Sequence, residues 1–240
     1  MLKYIGNGTR VTFSNNFKIG YKNKPYTIFE CPSNLIINFF DLTLRFTELK
    51  AKYIFRQILL GVNAMHEHNI CHRNLSLDSI YLDEDYNIKI IDYDFCCINK
   101  EDLEVNVGRI GYFAPELAYN KKYNGMKCDI FSLGQILIGI TLGIQGFNFP
   151  SNNDEYYNFI MRKKYELYWE KIIRDVGFDS SNSFKDLFVR MVAYKPKERP
   201  SINEILSHEW FEDINNLSEE EKKYLEKEIK EEFENRVKKI

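Results

Sequence analysis

The spacing of apolar residues predicts a short β-rich beginning followed by a longer helical part. Three β-like runs cover residues 10–13, 17–21 and 25–30, and a turn-like KNKP separates the last two. From Thr47 onward, apolar residues recur at alternating spacings of four and three, which predicts an amphipathic helix that ends near Asn69. The beginning of the chain is therefore at most a small β meander.

Beyond this helix the pattern alternates briefly and then becomes helical. Two strand-like pieces, residues 79–82 and 87–91, enclose the polar turn DEDYN, and residues 95–115 have the pattern of a long loop. Helical spacing then covers residues 116–123, 129–143, 154–173, 184–195, 202–208 and 219–237. The last two helices begin with the capping boxes SINE, residues 201–204, and SEEE, residues 218–221. The pattern predicts a mainly α fold of the α+β class.

One uncharged stretch, residues 130–153, has the length and character of a membrane span. Its glycines, glutamines and proline weaken that interpretation, and a helix that is hydrophobic all round is equally typical of the centre of a globular domain. We therefore expect a buried core helix here.

Composition and charge narrow the class of protein. The chain has 240 residues, 44% of them hydrophobic, and its 33 basic and 35 acidic side chains give a net charge of −2. This composition excludes wholesale disorder and argues against a nucleic-acid binder that works by bulk charge. Five cysteines without a C-x-x-C pair indicate neither a disulfide framework nor a zinc site. Because the chain starts without an export or lipid signal, we expect a cytoplasmic or nuclear protein with no membrane contact.

Five segments carry a family resemblance when they are taken in order. They are CHRNLSLDSIYL, IKIIDYDF, GYFAPE, DIFSLG and KERPS. Together they resemble the C-terminal lobe of a eukaryotic protein kinase, over roughly Tyr26 to Phe211. The sequence from Gly146 to the final HEWF is most similar to the calcium/calmodulin-dependent branch, especially the calcium-dependent kinases of protists.

The resemblance implies a division of the chain. Residues 1–30 would be vestigial strands of the N-terminal lobe, a rudimentary β meander. Residues 31–212 would form the kinase-like helical C-terminal lobe, and residues 213–240 a C-terminal amphipathic helix. That last helix is expected either to dock on its own lobe or to bind a partner.

The resemblance also implies defects at the catalytic positions. The family's catalytic aspartate corresponds to Asn74, an amide that can orient a hydroxyl group but cannot take its proton. The lysine that neutralises the transferred phosphoryl group corresponds to Ser76, and the asparagine that binds the second magnesium ion to Ser79. The threonine that bonds this lysine and aspartate corresponds to Arg109. Several members of one polar network have therefore changed together.

The nucleotide side of the cleft is altered as well. Asp92 keeps the first metal ligand of the family, although a capping or turn role is an equally good interpretation. Arg109 could pair with Asp92 or Asp94 and replace a cation. Tyr81 lies where the family places an aliphatic side chain under the adenine ring, so it argues against nucleotide binding unless it turns outward to solvent. We expect no bound cofactor.

The beginning of the chain is short for a kinase N-terminal lobe. If Glu30 is the hinge acid, 29 residues precede it, whereas five strands, one helix and their loops need roughly 60. Gly6 and Gly8 are at most a remnant of the glycine-rich loop. We expect no complete cover above the triphosphate, unless the gene model lacks its first exon.

Architectural positions of the family are kept. His72 matches the spine that links the lobes, and Asp129 matches the acid that braces the catalytic loop. Glu116 and Arg199 match a buried ion pair. Arg73 would normally receive a phosphate group, yet the segment from position 92 to 116 contains no serine or threonine.

These residues favour a catalytically inactive protein kinase-like chain, a pseudokinase that acts as a scaffold or regulator. The expected partner is a protein, either another kinase or its substrate, and the oligomeric state stays open. One alternative is a serine/threonine kinase with weak activity, which would use Asp92 and ATP with magnesium. Another is a nucleotide-sensing pseudokinase.

Overall fold

Three short strands precede the helical part of the chain. The computed structural model describes residues 18–21, 24–27, 35–38, 45–83, 85–119 and 121–238. Strands β1 (Lys18–Tyr21) and β2 (Lys24–Thr27) form an antiparallel hairpin, in agreement with two of the three predicted β-like runs. The third run, residues 10–13, lies outside the described residues.

In the described part of the chain four further strands follow, and two of them lie directly before and after the candidate catalytic loop, residues 72–79. Strand β3 (Leu35–Asn38) pairs with β5 (Ile80–Asp83), which also pairs with β6 (Ile88–Ile90), all antiparallel. Strands β4 (Ile70–Cys71) and β7 (Cys97–Ile98) form a separate two-stranded ladder. Hydrophobic alternation predicted β5 and β6 but not β4 and β7, because two residues are too few to show a period.

Helices make up most of the described chain, and the predicted mainly α fold is confirmed. They are α1 (Glu48–Glu67), α2 (Pro115–Ala118), α3 (Gly125–Leu142), α4 (Glu155–Met161), α5 (Tyr165–Val176), α6 (Asn182–Met191), α7 (Ile202–Leu206), α8 (Glu212–Asn215) and α9 (Glu219–Val237). The capping boxes at Ser201 and Ser218 are present, with both serine hydroxyls accepting the expected backbone N–H.

The single helix predicted over residues 154–173 is wrong, because the chain breaks it into α4 and α5. Lys163 adopts a left-handed conformation, with φ of 54°. The N–H groups of Lys163 and Lys164 donate to the carbonyls of Ile160 and Phe159 at 3.0 and 2.8 Å, which closes the end of α4. The sequence RKK contains no glycine or proline, so nothing in it announces this stop.

The helix predicted over residues 116–123 is also shorter than expected. It ends after one turn, as α2, and Tyr123 forms an isolated antiparallel bridge with Leu103 instead. Their N–H and carbonyl groups exchange two hydrogen bonds of 3.0 Å. Pairing with a distant segment therefore overrides the local helical pattern.

Helix α3 is the centre of the core. It contains most of the uncharged stretch, and α1 and α6 pack against it. Gly134 permits the close approach of α6, since a Cβ atom there would lie 2.6 Å from Cγ1 of Val192. Within the described residues, α3 is the helix long and apolar enough to cross a bilayer, and 83% of it is buried inside the protein. This burial is typical of a core helix, as the sequence predicted.

Helix α9 docks on the same domain. Its apolar stripe, Leu225, Ile229 and Phe233, is buried. The ring of Phe233 meets that of Phe46 edge to face, with centroids 5.6 Å apart, and Glu232 pairs with Lys50 at 2.7 Å. Of the two roles expected for this helix, the structure shows docking on its own lobe.

A buried ion pair joins α2 to the helical body. Arg199 donates from Nη1 and Nη2 to the two carboxylate oxygens of Glu116, at 2.6 and 2.7 Å. The guanidinium group also donates to the carbonyls of Ala193 and Lys127. Because both charges are out of water, removing one would leave the other unpaired.

We predict that Arg199→Ala lowers the free energy of unfolding by about 3–5 kcal/mol, because it leaves the Glu116 carboxylate buried without its partner. Urea denaturation measures the loss. The control is Lys197→Ala, at an exposed position two residues away, which should change the stability by less than about 0.5 kcal/mol. The double variant Glu116→Met/Arg199→Met should lose less than Arg199→Ala, and an equal or larger loss would contradict this interpretation.

Candidate functional site

The backbone of the candidate catalytic loop is held by one buried carboxylate. Asp129, on α3, accepts hydrogen bonds from the N–H groups of His72 and Arg73, both at 2.8 Å. Nε2 of His66, on α1, lies 2.9 Å from the same carboxylate. Arg73 has a φ of 64°, an unusual conformation for a residue with a side chain, and these bonds maintain it. Asp129 therefore braces the loop, as the sequence predicted.

His72 connects this loop to the segment that follows β6. It is completely buried, its Nε2 lies 3.0 Å from the carbonyl of Ile91, and its ring centroid is 5.3 Å from that of Tyr93. Burial lowers the pKa of the His72 imidazole, so the ring is neutral at physiological pH. Tyr93 is buried too, and its hydroxyl donates to the carbonyl of Ile90. The two rings lie in contact, which agrees with the expected place of His72 in the spine.

The candidate catalytic amide and the candidate metal ligand contact each other. Nδ2 of Asn74 donates a hydrogen bond to Oδ2 of Asp92. Asp92 has a left-handed backbone, with φ of 68°, and precedes a 3-10 turn at Tyr93–Phe95. Its side chain caps no backbone group of that turn, so of the alternative capping or turn role the structure shows the turn position alone.

Ser76 and Ser79 are directed into the protein and bond each other. They flank a 3-10 turn at Leu77–Ser79, and both are almost completely buried. The Ser79 hydroxyl donates to the carbonyl of Ser76 at 2.8 Å and accepts from its N–H at 3.0 Å. The Ser79 oxygen is therefore committed to closing a local turn.

The expected pairing of Arg109 with Asp92 or Asp94 is wrong. Nη1 of Arg109 lies 3.0 Å from Oδ2 of Asp78, in the Leu77–Ser79 turn. The carbonyl of Arg109 accepts from the N–H of Tyr112, and the Tyr112 hydroxyl bonds the backbone of Leu77. This contact places Arg109 over the turn. Sequence reasoning missed Asp78, for which the only signal is its opposite charge.

Tyr81 lies in the middle of the three-stranded sheet. It belongs to β5, opposite Asn38 of β3 and Lys89 of β6, and is half-buried. A partly exposed aromatic ring therefore stands on this part of the sheet. The hinge acid Glu30 and the glycines Gly6 and Gly8 lie outside the described residues.

The side chain of Arg73 is engaged without a phosphate group. Its Nε donates to the carbonyl of Phe95 at 2.7 Å, and its Nη1 donates to the hydroxyl of Tyr123 at 3.1 Å. The Tyr123 hydroxyl in turn donates to the carbonyl of Val105 at 2.6 Å. Burial raises the pKa of Tyr123, so the hydroxyl stays protonated and keeps this bond. Sequence reasoning missed Tyr123, which lies outside the family motifs.

A magnesium-nucleotide site of the kind that the family resemblance implies would have Asp92 at one ligand position and Ser79 at the other. Such a site needs several oxygen ligands around the metal. Here the Asp92 carboxylate accepts the Asn74 amide, and the Ser79 hydroxyl closes its own turn. Across the part of the chain that the structure describes, no three His, Cys, Asp or Glu side chains converge on one point.

Comparison with known proteins agrees with this architecture. Residues 12–211 match the family described as Protein kinase domain. The chain is 33% identical over 193 residues to the maternal embryonic leucine zipper kinase of Xenopus tropicalis, an alignment that covers 78% of this chain and 28% of that protein. It is 35% identical over 182 residues to calcium-dependent protein kinase 5 of Plasmodium falciparum, covering 72% and 30%.

A third relative is the probable serine/threonine-protein kinase MARK-B of Dictyostelium discoideum, 32% identical over 169 residues, covering 69% of this chain and 23% of that protein. The chain thus spans less than a third of the length of these curated relatives. Since the family match extends over most of the chain and includes the braced loop and the buried ion pair, this chain belongs to the protein kinase family.

Proposed function

We propose that this chain is a catalytically inactive member of the kinase family that acts as a scaffold or regulator through protein–protein contacts. The observation that carries the proposal is the hydrogen bond from the Asn74 amide to the Asp92 carboxylate. It joins the position of the proton acceptor to the position of the metal ligand. The Asn74 amide nitrogen and one oxygen of the Asp92 carboxylate are therefore bonded to each other within the protein.

The first chemical consequence concerns the acceptor hydroxyl. A kinase places a carboxylate beside this hydroxyl to accept its proton, and general bases contribute roughly 10²- to 10⁴-fold in rate. An amide nitrogen that donates to Asp92 has no basic lone pair to offer. The proton acceptor is missing at this position.

The second consequence concerns the phosphoryl group. Kinase catalysis depends on positioning and on neutralising charge, with a lysine and two metal ions around the phosphates. The side chains of Ser76 and Ser79 are short and buried, and those of Asp78 and Arg109 neutralise each other at 3.0 Å. The positive charge of Arg109 is therefore neutralised within the protein.

The segment from position 92 to 116, which corresponds to the activation segment of the family, supports a role as a fixed surface. In this family, a phosphate group bound to the arginine of the loop commonly orders the segment. Here Arg73 reaches the carbonyl of Phe95 and the hydroxyl of Tyr123 instead. A surface that is ordered without phosphorylation is able to bind its partner at all times. We propose another kinase or a kinase substrate as that partner.

A weakly active serine/threonine kinase is the second candidate. It is favoured by the exposed carboxylate of Asp92, the one candidate metal ligand that keeps the family's residue type. The names of the relatives point to the same activity. In that case the Asn74 amide would have to release Asp92 when metal and nucleotide bind.

We predict that ATP with magnesium leaves the melting temperature of the chain unchanged within about 1 °C. A ligand at 100 times its dissociation constant stabilises a protein by about 2.7 kcal/mol, which corresponds to several degrees. Differential scanning fluorimetry measures the shift. The melting temperature of the variant Tyr81→Leu, which lacks the aromatic ring on the sheet, should be equally unaffected by ATP with magnesium. A rise of several degrees in the unmodified chain would support nucleotide sensing instead.

We also predict that the chain transfers no phosphate from radiolabelled ATP to casein above the level of its Asp92→Asn variant. That variant controls for co-purified kinases, because it removes the remaining candidate metal ligand. Asn74→Asp should likewise stay at background, since Ser76 and Ser79 are unchanged. Incorporation that the unmodified chain shows and Asp92→Asn lacks would establish the weak kinase.

A third prediction concerns Tyr123→Phe, which removes one hydroxyl and keeps the buried ring. Loss of the bonds to Arg73 and Val105 should cost about 1 kcal/mol in stability and speed amide hydrogen exchange of residues 103–107 by roughly fivefold. The control is Tyr119→Phe, at a partly exposed ring. Phosphatase treatment of the unmodified chain should change nothing, and faster exchange after that treatment would show that a phosphate group orders the segment.

A further inference from the structure

A groove lies between α5 and α6, away from the catalytic loop. Its volume is about 370 Å³, and Tyr165, Trp169, Ile173 and Val189 supply its apolar lining. This volume is within the range of roughly 300–1,000 Å³ that is typical of ligand pockets. Nothing in the kinase-like site uses this groove.

The lining of the groove is held rigidly from below. The ring of Trp169 contacts those of Tyr168, Phe184 and Phe188, with centroids 4.9, 5.8 and 5.5 Å apart. Tyr168, Phe184 and Phe188 are completely buried. An apolar lining that is already packed loses little conformational entropy when a ligand binds.

The rim of the groove is acidic. Glu166 and Glu170 are exposed and lie one turn apart on α5, so they project from the same face. Within the described part of the chain, neither carboxylate has an ion-pair or hydrogen-bond partner. On the α6 side, Asp186 accepts from Arg190, and the ammonium group of Lys185 lies 2.6 Å from Asp179.

These charges do not cancel at the rim. Among the described residues that line the groove, Lys185 pairs with Asp179, whereas Glu166 and Glu170 have no basic partner. A basic ligand would gain from this field, and an acidic one would be repelled.

Trp169, which lines the groove, also carries a hydrogen-bond donor. The indole N–H of Trp169 has no acceptor among the residues that the structure describes. A buried or half-buried tryptophan usually finds such a partner. The carbonyl of a bound peptide backbone would supply it.

We propose that the α5–α6 groove binds a short peptide segment of a partner protein in which bulky apolar side chains are flanked by lysine or arginine. The apolar side chains would fill the groove, and the basic ones would pair with Glu166 and Glu170. The proposal rests on the proposed function in one respect: it identifies a surface through which a scaffold would hold its partner.

The test begins with a display library of random 14-residue peptides, selected on the full chain. The recovered sequences are expected to combine Leu, Ile or Phe with Lys or Arg. A synthetic peptide of the recovered sequence is then titrated while tryptophan emission is recorded. The chain has two tryptophans, and Trp210 is completely buried, so Trp169 should report binding.

Charge-reversal variants distinguish peptide binding in this groove from nonspecific electrostatic attraction between a basic peptide and the protein. Glu166→Lys/Glu170→Lys should weaken binding of the peptide at least tenfold. The matched control, Glu220→Lys/Glu228→Lys on α9, makes the same change in net charge and should keep the dissociation constant within twofold. Ile173→Ala should weaken binding at least threefold, and its melting temperature verifies that the variant is folded.

Failure to recover basic, apolar peptides would overturn the proposal, as would equal affinity for the Glu166→Lys/Glu170→Lys variant. These outcomes are independent of the nucleotide and phosphate-transfer assays. A chain that binds the peptide and also transfers phosphate would retain the groove and refute catalytic inactivity. A chain that does neither would refute the groove alone.

Discussion

The carboxylate of Asp129 is the interaction on which the rest of the site depends. A charge in the core is expensive unless it is satisfied by hydrogen bonds, and here the N–H groups of His72 and Arg73 and the ring of His66 satisfy it. These bonds connect α3, α1 and the catalytic loop. Because they involve the backbone of the loop, its shape does not depend on which side chain stands at position 74.

The changed side chains form a consistent set. The Ser79 hydroxyl is satisfied by the backbone N–H and carbonyl of Ser76. Arg109 and Asp78 form an ion pair. Such mutual satisfaction is what a buried polar network requires, since partly satisfied networks are costly. The side chains of Ser79, Arg109 and Asp78 thus have hydrogen-bond or ion-pair partners within the protein.

Fixed motif spacing made much of the fold and site predictable. The positions of His72, Asp129, Glu116 and Arg199 followed from the resemblance, and helical periodicity predicted α1, α3 and α9. Periodicity could not show the stop at Lys163, which depends on a left-handed backbone without glycine. The ion pair between Arg109 and Asp78 could not be predicted from the sequence for another reason, because it depends on how two loops fold over each other. Long-range contacts between loops leave no period in the sequence.

The apolar character of α3 also has a consequence during synthesis. Its partners come from both sides in the sequence, since α1 precedes α3 and α6 follows it. Until residues 182–191 emerge, the nascent chain exposes a segment as apolar as a membrane span. The packing of this helix in the core is therefore completed only after the segment that forms α6 has left the ribosome.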